Sequence, residues 1–154
     1  MNRLFFVLIF CCGFSGVTGC SDGNPKKPEG FPTLYPVTLT LTQEGKPLAE
    51  TTVTLIAKNK SKWGSSGFSD TEGKVELKTN GFIGVPAGQF NVVVAKTVSE
   101  GMPATPDETG NPKTYTLIEK IYTDPNTSPL TIEVTPETKE VTLDVGKAVK
   151  IRID

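Results

Sequence analysis

The most informative absence in this 154-residue chain is histidine, which does not occur at all. Histidine is the usual general base near neutral pH, the commonest zinc ligand and the usual partner of a nucleophilic serine or cysteine. The Ser-x-x-Lys pattern, which provides a base without histidine, is absent too. Carboxylates are numerous, but nothing in the sequence pairs them in a cleft; examples are Asp107, Glu108, Asp124 and Glu133. We therefore predict that the chain is not an enzyme and has no catalytic residue, metal site or cofactor.

An excess of positive charge is also missing, because 16 basic side chains face 17 acidic ones. Binding to DNA depends on concentrated positive charge that releases counterions from the phosphates. The sequence therefore predicts no nucleic acid partner.

Cysteine is scarce, and two of the three cysteines, Cys11 and Cys12, lie in an apolar N-terminal run. This run covers residues 4–14 and follows Arg3. It has the length of a signal-peptide core and is too short to span a bilayer. Removal of such a leader leaves Cys20 as the one cysteine and excludes an internal disulfide, so packing alone must stabilise the domain.

The residues that precede Cys20 are small. The segment Val17-Thr18-Gly19-Cys20 resembles the lipobox of bacterial lipoproteins. The resemblance implies a signal peptide over residues 1–19, cleavage before Cys20 and acylation of its sulfur, which makes membrane lipid a partner of the chain. Each buried acyl methylene contributes about 0.8 kcal/mol, so two or three chains give durable anchoring. The alternative is an ordinary signal peptide with an incidental cysteine.

Ser21 follows this cysteine. In the sorting pattern known for enteric bacteria, a serine at this place permits passage to the outer membrane. We therefore expect a lipid-anchored protein of the cell envelope, in the outer membrane; the alternative is the inner membrane.

Residues 21–32 are rich in proline and polar side chains and offer almost nothing to bury. Proline-rich segments are extended and semi-rigid, at about 3 Å per residue, so these residues would hold a domain some 35 Å from the lipid. We interpret residues 20–33 as a tether and residues 34–154 as one folded domain.

Within residues 34–154 the apolar side chains alternate with polar ones. In the first run Val37, Leu39 and Leu41 alternate with threonines, which is typical of a half-buried strand. Further rows of this kind begin at Val53, Val75, Phe90, Leu130, Val141 and Val149, with turns at residues 43–46 and 70–73. We predict an all-β fold, an antiparallel sandwich of seven to eight strands with a Greek-key connection of the transthyretin or immunoglobulin kind.

The least regular stretch runs from Lys96 to Ser128. Residues 102–112 are predicted to form a long loop, and such loops are often functional. Residues 114–121 are more apolar, and either an edge strand or one helical turn is consistent with them.

Three short motifs occur in a fixed order along the first half of the domain. They are Gly45-Lys46-Pro47-Leu48-Ala49 followed by Val53-Thr54-Leu55, then Ser69-Asp70-Thr71-Glu72-Gly73-Lys74-Val75, then Val85-Pro86-Ala87-Gly88-Gln89-Phe90-Asn91-Val92. Together they resemble the carboxypeptidase regulatory-like domains, whose patterns are G-x-P-L-x-G-A-x-V-x-L, T-D-x-x-G-x-F and L-P-x-G-x-Y-x-V. The departures are Glu50 and Thr51, where small residues are usual, and Phe90 in place of tyrosine.

This resemblance covers about residues 36 to 95 and implies a transthyretin-like sandwich. The stretch from Tyr122 to Val134 is similar to the one that leads into the last hairpin of small bacterial lipoproteins with this domain. In larger proteins the domain is an accessory or adhesive module. A transthyretin-like hydrolase of the urate pathway exists, but its essential histidines and its Tyr-Arg-Gly-Ser ending have no counterpart here.

Two regions are candidates for ligand binding, the stretch from Lys96 to Ser128 and a row of lysines beside Trp63. Lys58, Lys60 and Lys62 alternate, so on an extended strand they would share one face beside Trp63 and could contact an anionic glycan or phosphate. The alternative is that the lysines are solvated and discourage edge-to-edge pairing while the tryptophan caps the core. The turn at residues 70–73 lacks the alternating oxygens of a calcium loop, so we interpret it as a hairpin turn.

The sequence thus favours a non-enzymatic, membrane-anchored structural or protein-interaction module of the envelope. The second hypothesis is a carbohydrate-binding surface lipoprotein. Coplanar exposure of Trp63 with Tyr115 or Tyr122 would support the second, and burial of Trp63 would exclude it.

Overall fold

The computed structural model describes residues 26–59, 61–101 and 112–153. The predicted signal peptide, Cys20, Lys60 and residues 102–111 of the predicted loop lie outside these described residues. The regular secondary structure of the described chain is almost entirely strand, which confirms the all-β class. The first strands are β1 (Leu34–Tyr35), β2 (Thr38–Gln43), β3 (Lys46–Pro47), β4 (Thr52–Ala57), β5 (Ser65–Phe68), β6 (Lys74–Glu76), β7 (Lys78–Thr79) and β8 (Phe82–Ile83). The later ones are β9 (Val85–Pro86), β10 (Gly88–Ala95), β11 (Thr97–Glu100), β12 (Lys113–Thr116), β13 (Thr131–Val134), β14 (Glu140–Asp144) and β15 (Ile151–Arg152).

The largest sheet has six strands in the order β13-β10-β4-β5-β7-β8, and every pair in it is antiparallel. Its centre is the long strand β10, which pairs with β4 from Phe90↔Ala57 to Ala95↔Thr52. The last hairpin, β7–β8, turns at Asn80 and Gly81, both with positive φ. Asn-Gly is the favoured pair for a two-residue hairpin turn.

The second sheet is built around β2, which has β14 on one side and β3 and β6 on the other. The pairing of β14 with β2 is parallel, from Glu140↔Thr38 to Asp144↔Thr42, so the sandwich is not antiparallel throughout. Two small sheets complete the fold, one of β1 and β9 and one of β11, β12 and β15. The strands are more numerous and shorter than predicted, because several expected strands are interrupted and some strands are only two residues long.

The core lies between the two larger sheets. Its fully buried side chains include Leu39 and Leu41 from β2, Val53 and Leu55 from β4, and Phe90 from β10. These are the alternating residues that the period-two pattern predicted, because successive side chains of a strand point to opposite faces. Ile118 and Val145 extend the same cluster.

The first two motifs are in contact at a buried region, which we call the seam and which contains Leu48, Thr51, Ser69 and Gly73. The Ser69 hydroxyl donates to the Leu48 carbonyl at 2.7 Å and accepts from the Thr51 backbone N–H at 2.9 Å. Gly73 has a φ of +76°, and a Cβ built on it would lie 2.4 Å from the Leu41 carbonyl oxygen. Only glycine fits this close approach, because it has no Cβ and tolerates positive φ.

Glu50 stands beside this seam and is one of the departures from the family pattern. Its φ is +52°, the left-handed region that glycine, the residue of the pattern, adopts without strain. The neighbouring departure, Thr51, is fully buried and donates its hydroxyl to the Ala49 carbonyl. Position 50 therefore has a backbone conformation that suits the glycine of the pattern, although the residue here is glutamate.

The segment after residue 112 forms a strand and then a helical turn, but the strand is the central one of a three-stranded sheet and not an edge strand. Residues Lys113–Thr116 pair as β12 with β11 and β15, and a single turn of 3-10 helix covers Lys120–Tyr122. In the part of the chain that the structure describes, no helix is both long and apolar enough to cross a bilayer.

Candidate functional site

Trp63 lies in the loop between β4 and β5, and short polar side chains shape this loop. The Asn59 carboxamide oxygen accepts from the Ser61 backbone N–H at 3.0 Å, and the Ser61 hydroxyl accepts from the Trp63 backbone N–H at 3.2 Å. Such local bonds compete with extended pairing and favour turns.

These turns correct one sequence expectation. Strand β4 ends at Ala57, so Lys58 and Lys62 lie in a loop and not on the face of an extended strand; Lys60 lies outside the described residues. Lys62 lies next to the indole, with its Nζ atom 4.7 Å from the Trp63 ring centroid.

Phe31 joins Trp63 from the predicted tether. A turn places it, in which the Phe31 backbone N–H donates to the Pro28 carbonyl at 3.1 Å. The Phe31 ring meets the Trp63 ring edge to face, with centroids 5.0 Å apart and planes at 75°. On its other side it meets Phe82 of β8 at 5.1 Å and 61°. Both arrangements are ones that aromatic pairs prefer.

A second lysine lies over these rings. The Lys27 Nζ atom is 5.7 Å from the Phe31 centroid and 5.6 Å from the Phe82 centroid. Ammonium groups at such distances are attracted by the ring electrons, by about 0.5–1 kcal/mol at exposed sites. We call Lys27, Phe31, Lys62, Trp63 and Phe82 the aromatic surface.

A cleft of about 420 Å³ adjoins this surface. Phe31 and Phe82 form one wall of it and Leu34 and Ile83 contribute further apolar lining. Ile83 is 60% exposed, although it is a large apolar residue. The aromatic surface and its cleft therefore present apolar groups and positive charge together.

Sequence reasoning found Trp63 and Lys62 but missed Phe31, Phe82 and Lys27. Phe31 and Pro32 are half-buried, so the last part of the predicted tether contacts the domain. The available signal was Phe31 itself, which is the one aromatic residue in an otherwise polar, proline-rich segment.

A second exposed region lies on the outer face of the six-stranded sheet. It is a shallow depression of about 740 Å³ whose lining is dominated by small and hydroxyl-bearing residues, among them Thr52, Thr54 and Ser66. Phe68 borders it and is 62% exposed. Lys78 is its one charged lining residue, so the depression offers no set of groups for proton transfer.

Two aspartates of the described residues stabilise turns. Asp70 accepts from the backbone N–H groups of Glu72 and Lys74, both at 2.9 Å, which confirms the predicted hairpin turn. Asp124 accepts from the Asn126 backbone at 2.8 Å. Within the described ranges, no three His, Cys, Asp or Glu side chains gather as they would around a metal ion.

Asp144 ties the β2–β3 turn to β14. One of its oxygens accepts from the Thr42 hydroxyl at 2.8 Å and from the Gly45 backbone N–H at 3.1 Å, and the other accepts from the Gly146 N–H at 2.8 Å. These bonds, that from Thr42 foremost, lower the pKa of Asp144 because they favour its charged form.

Neither tyrosine considered as a partner for Trp63 is beside it. Tyr115 lies on β12, where Lys150 covers its ring at 4.7 Å. Tyr122 packs against the core cluster and lies next to Gly146. Trp63 itself is half-buried, and its ring contact is with Phe31.

No family model matches this chain, and neither a curated protein nor a solved structure matches it. The resemblance to the carboxypeptidase regulatory-like domains stays a prediction.

Proposed function

We propose that this chain is a non-enzymatic lipoprotein of the cell envelope, anchored through an acylated Cys20, whose β-sandwich acts as a structural or protein-interaction module. The observation that supports the proposal is the order of the segments along the chain. A lipobox-like segment is followed by a short polar segment that enters the domain at the aromatic surface, where lysines lie over exposed aromatic rings.

The buried polar side chains support a scaffold role. Four polar side chains are fully buried among the described residues, and all of them are hydroxyls: Thr51, Ser65, Ser69 and Thr79. Ser65 bonds Thr79 at 2.7 Å, and Thr79 donates to the Gly84 carbonyl at 2.8 Å. Because these groups bond within the fold, they stabilise strand ends and turns.

The anchor is tested by replacing Cys20 with serine and following the protein through membrane fractionation. We expect the C20S variant to leave the membrane fraction. The matched controls are C11S and C12S, which change cysteines of the predicted leader and should leave membrane association intact. Retention of the C20S variant on membranes at the wild-type level would refute the anchor.

Carbohydrate binding is the second candidate, and the half-exposed indole of Trp63 beside Lys62 favours it. The ring angles of 75° and 61° weigh against it, since a flat sugar ring stacks best on a coplanar platform. Titration with soluble anionic glycan fragments, followed by fluorescence of Trp63, tests it. A saturable change in emission would favour the glycan, and we expect none.

A further inference from the structure

The chain segment between the predicted anchor and the aromatic surface is short. Lys26 is the sixth residue after Cys20, and Phe31 is the eleventh. A fully extended chain spans at most about 3.6 Å per residue, so these distances cannot exceed roughly 22 Å and 40 Å. The turn at Pro28 and the ring contacts of Phe31 fix where the chain enters the domain. The aromatic surface is thus the part of the domain with the shortest chain path to Cys20.

The aromatic and positively charged side chains of this surface are suited to bind a layer of lipid headgroups. Tryptophan is enriched at membrane–water interfaces, and lysine extends its charge toward anionic headgroups while its stem covers apolar groups. Lys26, Lys27 and Lys62 are all exposed and none is in an ion pair within the described residues, and the nearby acidic residue of the turn is Glu29. The surface is therefore locally positive on a chain whose net charge is −1.

We propose that the aromatic surface docks on the anionic phospholipid headgroups of the membrane that holds the acyl chains of Cys20. This inference rests on the proposed anchor. The domain then lies against the bilayer and is not held at the far end of an extended tether. Because the anchor already holds the domain near the membrane, docking is an intramolecular step with an effective concentration on the order of millimolar. A weak affinity of the aromatic surface for the headgroups is therefore sufficient.

Trp63 is the one tryptophan of the chain, which gives the proposal a built-in probe. The lipidated full-length protein is reconstituted into vesicles of phosphatidylglycerol with phosphatidylethanolamine, or of phosphatidylcholine alone, with brominated acyl chains in parallel samples. We expect bromine to quench Trp63 in the anionic vesicles, and added salt or neutral lipid to reduce this quenching, because salt screens exposed charges. Equal, weak quenching in both vesicle types would overturn the proposal.

Charge reversal sharpens the test. The double variant K27E/K62E should lower the docking equilibrium at least about tenfold, since each lysine near an anionic surface contributes to attraction. The control K120E/K147E changes two exposed lysines, one in the 3-10 turn and one beside Gln43 at the far end of β2, and should not alter quenching. Likewise, I83S should weaken docking, whereas I121S, which changes another exposed isoleucine, should not. Equal effects of test and control variants would overturn the proposal.

Failure of docking and failure of the anchor give different results. An acylated protein that stays on vesicles with Trp63 unquenched keeps the anchor and overturns docking. An unacylated Cys20 overturns the anchor, and docking is then decided by adding the same chain to vesicles from solution. Protection of Trp63 by a soluble glycan, with no quenching by lipid, would also overturn docking.

Discussion

The seam between the first two motifs and the aromatic surface are built on opposite principles. In the seam, Ser69 and Gly73 bring two turns together, and each buried polar group has a partner inside the chain. At the aromatic surface, Phe31, Trp63 and Phe82 come from three separate segments and remain open to solvent on one side. The polar groups of the seam bond to each other within the fold. The aromatic surface, in contrast, leaves apolar and cationic groups available to a partner outside the chain.

This difference separates the residues that stabilise the described fold from those that are free to contact a partner. A closed seam contributes to folding stability and leaves nothing to bind, whereas an open surface contributes little stability and retains capacity for a partner. Substitutions in the two regions should therefore separate stability from binding.

The largest expected difference in the free energy of unfolding is between alanine variants of two phenylalanines. Phe90 is 2% exposed in the core, so F90A should lower the free energy of unfolding by about 3–5 kcal/mol. Phe82 is half-buried at the aromatic surface, and F82A should cost about 1–2 kcal/mol because it loses ring contacts and only part of its burial. Urea denaturation measures both. Equal costs would break the contrast between closed core and open surface.

Two glycines with similar φ make the next comparison. Gly73 (+76°) has the Leu41 carbonyl oxygen 2.4 Å from an added Cβ, whereas Gly45 (+74°) has nothing within 4 Å. G45A should cost about 1 kcal/mol from backbone strain, and G73A about 3 kcal/mol because the backbone must shift as well. Thermal and urea unfolding of the two variants check this. A G73A variant no less stable than G45A would contradict the seam.

Glu50 offers a stabilising change. E50G removes the strain of a φ of +52° and should raise the free energy of unfolding by up to about 1 kcal/mol, less the entropy that glycine adds to the unfolded chain. The matched change E133G, in strand β13, should destabilise by about 0.5–1 kcal/mol. Urea midpoints that fall in both variants would show that Glu50 is not strained.

The smallest effect is a pH dependence from Asp144. Its folded-state pKa is lowered, so it contributes stability above the unfolded-state value of about 3.9, and that stability is lost as pH falls through the lower folded-state value. D144N should be less stable than wild type at pH 7 by under about 1 kcal/mol, since the group is exposed. Unfolding at stepwise lower pH should narrow the gap between the two proteins below pH 4. A constant gap would contradict this account.

The alternation of Val37, Leu39 and Leu41 was enough to predict buried strands, because strand geometry repeats every two residues. The turns at Gly45 and Gly73 followed from local chemistry in the same way. The parallel pair β2–β14 was missed, since pairing across about 100 residues leaves no local signal.

Only part of the aromatic surface could be predicted from the sequence, for the same physical reason. Trp63 and Lys62 are adjacent in sequence and were recognised together. Phe31 and Phe82 lie 32 and 19 residues from Trp63, and nothing short of the folded sheet brings them to it. The Greek-key connection and the family resemblance stay predictions.

The most direct test of the account is intact-mass and N-terminal peptide mass spectrometry of the protein purified from its native membrane. We predict a chain that begins at Cys20 and carries the added mass of fatty acyl groups on that residue. A chain that begins elsewhere, or that has an unmodified thiol at Cys20, would contradict the account.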